Sequence, residues 1–386
     1  MKLPFFQGEF IRSGTTVFLA TLLASIIAFV ANITISNLLG PEDFANFKVI
    51  IYLFAFLPVI ADLGINTTLT KYIADFGKNS KKAELVIKWF LKIKLVTYLV
   101  LIAITILFKD QIALYFLHDV SQSYLILAGI VFLSLNFFLT FSFIVLGFQD
   151  FKLFSFSQFL NSASSAILAV LLSPLGIFYI ILGWSLGPLI GNIPCMLFLI
   201  KRRFSNHEKV DLKRIFYKFS LPVYPVDLST NLFNAIIPIL SLFFSQKLVG
   251  YYSFAFIFYF AAMIIPNSLS TVIFPKVSEL NGQKKYGRAR HILRKSFLYY
   301  SFIAVVGLVF VIFLSEWFIE IIAETYLPSV LIFKVIVSLG FIFGYNVIYT
   351  NYLKGRGKIK EYALFTLIQN ILLILVSFGL LSLMTS

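Results

Sequence analysis

Charge, cysteine and histidine are all scarce in this sequence. Only 13% of its 386 residues are charged, against about 25% in ordinary soluble domains. Cys195 is the only cysteine, so the chain cannot form an intramolecular disulfide. The three histidines lack cysteine or acidic partners at ligand spacing, so we expect neither a metal site nor a cofactor. Phosphate-binding glycine loops, zinc-binding helix motifs and nucleophile elbows are missing as well, which argues against an enzyme.

Apolar residues make up 60% of the chain and are concentrated in eleven stretches. Each stretch is long enough, at roughly 20 residues, to cross the hydrocarbon core of a bilayer as a helix. The pattern predicts an all-α polytopic membrane protein with about 11 transmembrane helices at residues 13–39, 44–70, 89–108, 124–147, 154–173, 175–200, 217–241, 250–275, 296–320, 328–352 and 361–384.

The basic residues alternate along the chain. Of the 32 Lys and Arg residues, 26 lie before the first stretch or in every second gap between stretches. By the positive-inside rule, the N-terminus and these gaps face the cytoplasm of a multi-pass protein in the cell membrane. The net charge of +15 is spread over short loops, which indicates contact with anionic membrane lipids and no nucleic acid partner.

The layout of helices and basic loops repeats at an offset of 205 residues, so that residues 13–88 match 217–295. Six spans per repeat give both halves the same orientation, as in transporters built from two parallel bundles. We therefore predict two six-helix-type lobes, at residues 1–200 and 217–386, joined by a basic cytoplasmic linker at 201–216. In this arrangement the second lobe lacks its last helix.

Several segments carry a family resemblance. The stretch 36–84 contains the turn Leu39-Gly40-Pro41-Glu42-Asp43-Phe44 and the run Asp62-Leu63-Gly64-Ile65. FSLPVYPVD at 219–227 and VGYYSFAF…IFPKVSEL at 249–280 continue the likeness in the second half. The chain resembles the polysaccharide transport proteins, the O-antigen flippases of the multidrug/oligosaccharidyl-lipid/polysaccharide exporter superfamily.

This resemblance implies a flippase that moves an isoprenoid-pyrophosphate-linked oligosaccharide from the inner to the outer leaflet for surface polysaccharide or glycoprotein synthesis. Transport by alternating access, coupled to an ion gradient, would follow. A glycan polymerase and glycosyltransferases are further candidate partners. The alternatives are a cation-coupled exporter of small molecules or drugs from the same superfamily, a flippase for the peptidoglycan precursor, and a non-transporting assembly scaffold.

Asp227 is the strongest exception to the apolar pattern, since it lies about ten residues into the predicted helix seven. An ionised Asp at that depth costs roughly 2.5–3.5 kcal/mol on insertion scales. Pro222, Pro225 and Pro238 on the same helix remove backbone hydrogen bonds. We interpret Asp227 either as an ion-coupling or gating residue or as part of a structural pair or hydrated kink.

Further charges lie inside predicted helices. Lys48 and Lys334, close to the outer ends of their helices, would either attract a pyrophosphate in a central cavity or extend to the outer headgroups. Asp62 would pair with a basic loop residue or steady an inner gate. Lys92 and Lys94 would draw in a headgroup or simply form the polar end of an amphipathic helix.

Amides are frequent on the predicted helices one, two, seven and eight. Asn231 and Asn234 are the two that lie closest to Asp227. Such amides bind sugar hydroxyls in some sites, but they also hold neighbouring helices together at about 0.6 kcal/mol per contact. Both interpretations stay open from the sequence.

Overall fold

The computed structural model describes residues 9–76, 81–202 and 210–385. Throughout these residues the secondary structure is helical, without a strand. The α-helices are α1 Glu9–Asp62, α2 Ile65–Phe76, α3 Lys81–Leu107, α4 Lys109–Phe116, α5 Ser123–Asn136, α6 Leu139–Gly147, α7 Phe151–Leu171, α8 Ile177–Ile200, α9 Leu212–Ile215, α10 Leu221–Asn231, α11 Ile236–Ser241, α12 Gln246–Gly282, α13 Tyr286–Ala323, α14 Val330–Gly355 and α15 Ile359–Thr385.

Eight helical stretches within the described residues are long and apolar enough to cross a membrane. Two of them are long enough for two membrane crossings each. Leu22–Asp62 has 41 residues, about 60 Å at the helical rise and so twice the hydrocarbon thickness, and it is interrupted at Gly40 (φ 69°, ψ 177°). Tyr286–Gly355 is divided by the 3₁₀ segment Glu324–Ser329. The predicted all-α polytopic membrane fold is confirmed.

Helix ends differ from the predicted ones where the backbone breaks. The predicted helix 44–70 ends early, since α1 stops at Asp62 and α2 starts at Ile65. Leu63 (φ 49°) and Gly64 (φ 75°) adopt positive φ between them, which no α-helix accommodates. A count of apolar residues cannot locate such a break, because it averages over a window of about 20 residues.

The predicted helix seven, 217–241, is the least regular of the eleven. It consists of a π segment Phe216–Ser220, α10, a 3₁₀ segment Leu232–Ala235 and α11. Pro222 and Pro225 supply no N–H to the helix, so local 3₁₀ and π geometry replaces the regular hydrogen bonds around them. This segment is consequently not among the eight membrane-crossing stretches.

The chain forms two compact units. The first comprises Met1–Ala31 and Val49–Pro238, and the second Asn32–Lys48 and Ile239–Ser386, in both cases for the described residues they contain. Each unit thus contains residues from both predicted lobes. The division into lobes 1–200 and 217–386 by a linker at 201–216 stays a prediction, and residues 203–209 of that linker lie outside the described residues.

The first unit has a continuous apolar core that joins α2, α3, α6 and α9. Ile65, Leu69, Val86, Phe90 and Ile144 are among its buried members. Elsewhere in this unit, the glycines of α8 allow close packing against α7, because a Cβ at Gly187 or Gly191 would overlap Asn161 or Ser165 of that helix. Small residues at this spacing are the usual means of helix association in membranes.

The second unit packs α12, α13 and α14 around a separate core with Val277, Tyr300 and Ile348. The segment Asn32–Lys48 also belongs to this unit, although it lies early in the chain. It contacts α12 closely, since a Cβ at Gly250 would lie 1.9 Å from the carbonyl oxygen of Pro41. Tyr326 fastens the same segment by donating a hydrogen bond of 3.0 Å to the Ser36 carbonyl.

Gly64 and Gly357 provide a matched test of the α1–α2 break. Both have φ +75°, but a Cβ at Gly64 would meet the Ser220 carbonyl oxygen at 2.3 Å, whereas nothing lies within 4 Å of a Cβ at Gly357. Backbone strain of about 1–2 kcal/mol is common to both alanine variants. We expect Gly64→Ala to lower the midpoint of thermal unfolding in detergent clearly more than Gly357→Ala. Equal shifts would show that the close contact does not exist.

Candidate functional site

The break between α1 and α2 leaves backbone carbonyls without helical partners inside an apolar unit. Unsatisfied backbone groups cost several kcal/mol each in hydrocarbon, so the break requires other donors. Three side-chain hydroxyls supply them. Tyr224 donates to the Ile60 carbonyl at 3.1 Å, Thr97 to Ala61 at 3.1 Å, and Ser220 to Leu63 at 2.8 Å.

Asp62 lies at the break and is paired with Lys94 of α3. The ammonium Nζ of Lys94 is 2.7 Å from Asp62 Oδ1 and 2.8 Å from Asn66 Oδ1. Both charged residues are buried, Lys94 at 1% exposure and Asp62 at 7%. The Tyr98 ring, 5.7 Å from Nζ, covers the ammonium group further. The pair is therefore held in the interior with most of its hydrogen-bonding capacity used.

The Asp62 carboxylate also begins the next helix. Its Oδ2 accepts a hydrogen bond of 3.1 Å from the backbone N–H of Asn66, in the first turn of α2. A negative charge at this position interacts favourably with the helix dipole and satisfies one of the free N–H groups of the turn. Asp62, the last residue of α1, thus uses one carboxylate both to accept a hydrogen bond from the first turn of α2 and to neutralise Lys94.

Asp227 of α10 reaches the same region from helix seven. Its Oδ2 accepts a hydrogen bond of 2.9 Å from the hydroxyl of Thr67, which directly follows Asn66 in α2. Asn231 donates to the backbone carbonyl of Asp227 at 2.8 Å, one turn further along. A half-buried carboxylate that accepts a hydrogen bond from a hydroxyl group is suited to bind and release a proton or a small cation.

Three of the predicted site residues therefore come together in the first unit: Asp62, Asp227 and Asn231. The partner of Asp62 is a residue of helix α3, not of a basic loop. Lys94 is buried, which does not fit either of its sequence interpretations, whereas Lys92 is exposed. The sequence did contain one signal for the pair, since Asp62 and Lys94 are charges of opposite sign within apolar helices.

Lys48 belongs to the second unit and is buried there, at 6% exposure. Its amine donates a hydrogen bond to Asn32 Oδ1, across the break at Gly40. The rings of Phe44 and Phe47 lie 5.2 and 5.6 Å from Nζ. The amine thus lies inside the protein, and the alternative in which Lys48 extends to the outer headgroups is wrong.

Two predicted residues stand apart from these contacts. Lys334 in α14 and Asn234 in the 3₁₀ segment are half-buried. Within the part of the chain that the structure describes, neither side chain has a hydrogen bond or ion pair. Thr67, Thr97, Ser220 and Tyr224, which complete the site, were not singled out from the sequence because hydroxyl residues are common in membrane helices.

Comparisons with known proteins extend over most of the chain. The family model described as "Polysaccharide biosynthesis protein" matches residues 10–281. A search of curated proteins finds no match.

Solved structures with a similar fold include lipid II flippase MurJ in an inward closed conformation, with 15% identity, a TM-score of 0.72 and coverage of 94% of this chain and 86% of that one. An inward-facing MATE family multidrug resistance transporter of the MOP superfamily has 11% identity, a TM-score of 0.69 and coverage of 93% and 94%. An outward-facing conformation of a MATE family transporter of that superfamily has 11% identity, a TM-score of 0.61 and coverage of 98% and 96%. At these identities the likeness shows a shared fold.

The ion pair at the break can be tested by removing its charges singly and together. Loss of one partner leaves a buried charge, so we expect Asp62→Asn or Lys94→Met to destabilise the protein by about 3–5 kcal/mol. The double variant should lose less than either single variant, because no lone charge remains. The measurement is thermal unfolding of the purified protein in detergent.

The control is Glu361→Gln, which breaks the exposed pair with Lys358 (44% and 48% exposed side chains). Its effect should stay below about 1 kcal/mol. A Lys94→Met variant as stable as this control would contradict a structural ion pair.

Proposed function

We propose that this chain, which belongs to the polysaccharide biosynthesis protein family, is a flippase for an isoprenoid-pyrophosphate-linked oligosaccharide. It carries the glycan headgroup from the inner to the outer leaflet of the cell membrane, with its N-terminus in the cytoplasm, and catalyses no chemical step. The observation that carries the substrate class is the family match over residues 10–281. The transporter fold and the charges inside apolar helices support it.

The substrate has two parts with opposite requirements. Its isoprenoid tail is at home in hydrocarbon, whereas the pyrophosphate and sugars need a polar path. Lys48 and Lys334 are the cations that we assign to the pyrophosphate, since a lysine acts as a strong point charge for phosphate. For Lys48 the assignment rests on its charge inside an apolar helix, and it requires the amine to leave its hydrogen bond with Asn32 Oδ1.

Asp227 is the residue that we assign to coupling with an ion gradient. It is a half-buried carboxylate on the least regular helix of the chain, hydrogen-bonded to Thr67 of α2. Discontinuous helices are where transporters expose backbone and side-chain oxygens to coupling ions. Protonation of Asp227, or binding of a cation to it, would change its hydrogen bond with Thr67. Helix seven would then be held less or more tightly against the α1–α2 break.

A cation-coupled exporter of small molecules is the second candidate. The same carboxylate supports it, because a cation site at Asp227 would serve either kind of cargo. The two functions differ in what is carried: a glycolipid whose tail stays in the bilayer, or a small cation released into water. A glycan polymerase and glycosyltransferases are proposed as partners only for the flippase.

The test is transport by the purified full-length protein in proteoliposomes. A fluorescent isoprenoid-pyrophosphate oligosaccharide in both leaflets is exposed to a membrane-impermeant quencher, and we expect the protein to make the protected fraction accessible. With an imposed potential of 100 mV, one coupled charge supports up to roughly fiftyfold accumulation. Asp227→Asn should abolish this gradient-driven part at normal protein levels.

Asp110→Asn is the control, since this carboxylate is exposed and pairs with its neighbour Lys109. It should transport like the unchanged protein. Export of a cationic dye without movement of the glycolipid would contradict the flippase and support the exporter. Full gradient-driven transport by Asp227→Asn would exclude the coupling role.

A further inference from the structure

The segment 211–219, which includes the first residues of helix seven, has two different sides. Leu212, Ile215, Phe216 and Phe219 point into the first unit. The Phe216 ring packs 5.9 Å from Trp89 and 6.3 Å from Phe90, both on α3. These contacts, spaced three to four residues apart, fix the segment against the end of the first unit.

The opposite side of the same segment is basic and exposed. Lys213, Arg214, Tyr217 and Lys218 are all exposed, Tyr217 at 65%. They alternate with the inward residues, so that the apolar side of the segment packs on the protein while the cations and the Tyr217 ring face outward.

A fourth cation comes from the second half of α2. The exposed Lys71 has its Nζ 3.9 Å from the ring of Phe219, the residue that follows Lys218 in the chain. Two carboxylates lie close in sequence: Asp75, one turn beyond Lys71, and Asp211, whose Oδ1 accepts the Arg214 backbone N–H at 2.9 Å. The surface thus keeps an excess of positive charge.

We propose that this surface, Lys71, Lys213, Arg214 and Lys218, binds the phosphate groups of anionic phospholipids in the leaflet at its end of the protein. Charge complementarity selects the occupant, since basic residues next to a membrane helix attract anionic headgroups. The exposed ring of Tyr217 lies between the cations and fits the headgroup level of a bilayer. The proposal requires only a membrane-inserted chain, not a particular transported substrate.

Bound lipid has a direct route to the α1–α2 break. Ser220 directly follows this segment and donates to the Leu63 carbonyl at 2.8 Å. Tyr224, one turn later, holds the Ile60 carbonyl. A headgroup that keeps residues 211–219 in place also keeps these two donors in place, so anionic lipid stabilises the first unit.

The experiment titrates the purified full-length protein with phosphatidylglycerol in mixed micelles, with phosphatidylcholine as the neutral reference. The readout is the phosphatidylglycerol mole fraction that gives half of the maximal rise in Tm. For Lys213→Gln/Arg214→Gln/Lys218→Gln we expect that fraction to increase roughly fivefold per neutralised residue, or on the order of a hundredfold in total. Its Tm in phosphatidylcholine should be unchanged, because none of the described residues forms a side-chain hydrogen bond or ion pair with the side chains of these three.

The matched control is Lys284→Gln/Lys285→Gln/Arg288→Gln, which removes the same charge from exposed residues in the α12–α13 turn and the first turn of α13. With 37 residues, about 55 Å at the helical rise, α12 is longer than the hydrocarbon is thick, so this hairpin reaches beyond the bilayer. The control should leave the half-maximal fraction nearly unchanged. If both triple variants raised the half-maximal fraction equally, the lipid would be attracted by the overall positive charge and not by this surface, and the proposal would be wrong.

A second arm replaces phosphatidylglycerol with an isoprenyl pyrophosphate at the same mole fraction. The proposal predicts a rise in Tm with phosphatidylglycerol that depends on the three residues. If only the pyrophosphate gives such a rise, the surface receives a transported lipid and the phospholipid proposal is wrong. An unchanged titration in the first triple variant would also contradict it.

Discussion

The buried ion pair between Lys94 and Asp62 is the interaction on which the first unit depends. A chain break inside an apolar unit exposes polar backbone that hydrocarbon cannot solvate. Asp62 has two roles at the break. It accepts a hydrogen bond from a backbone N–H in the first turn of α2, and it neutralises the charge of Lys94 on α3. The remaining carbonyls are left to hydroxyl side chains from α3 and helix seven. Without the pair, a lone charge would stay buried beside backbone groups that already need partners.

The irregularity of helix seven complements the break that it contacts. Its prolines and its π and 3₁₀ segments weaken the regular helix, while Ser220 and Tyr224 serve the carbonyls of Leu63 and Ile60. Asp227 also accepts a hydrogen bond from Thr67 of α2, which links helix seven directly to the residues that follow the break. Because these two discontinuous elements supply hydrogen-bond partners to each other, they can separate and rejoin at the cost of a few hydrogen bonds. Such an arrangement is suited to the conformational change that the proposed transport requires.

Much of this could be predicted from residue patterns, and the limits are physical. Apolar stretches and alternating basic gaps predict the helices, because burial in a bilayer depends on composition over about 20 residues. Asp62, Asp227 and Lys48 stand out as charges, but their partners do not. Lys94 is 32 residues beyond Asp62, and Thr67 is 160 residues before Asp227, so packing alone brings them together. The positive φ of Leu63 was equally hidden, since leucine is common in unbroken helices.

The contact between helix seven and α2 is tested most directly by cross-linking the two elements. Cys195 is the only native cysteine and is buried, so Cys195→Ser gives a clean background for a cross-link between Thr67→Cys and Asp227→Cys. The native side chains approach to 2.9 Å. We expect rapid oxidative cross-linking in membranes. Lys94→Met should slow it, and it should be absent when Tyr217→Cys, on the exposed side of the segment 211–219, replaces Asp227→Cys. Failure of Thr67→Cys and Asp227→Cys to cross-link in a folded protein would contradict this contact.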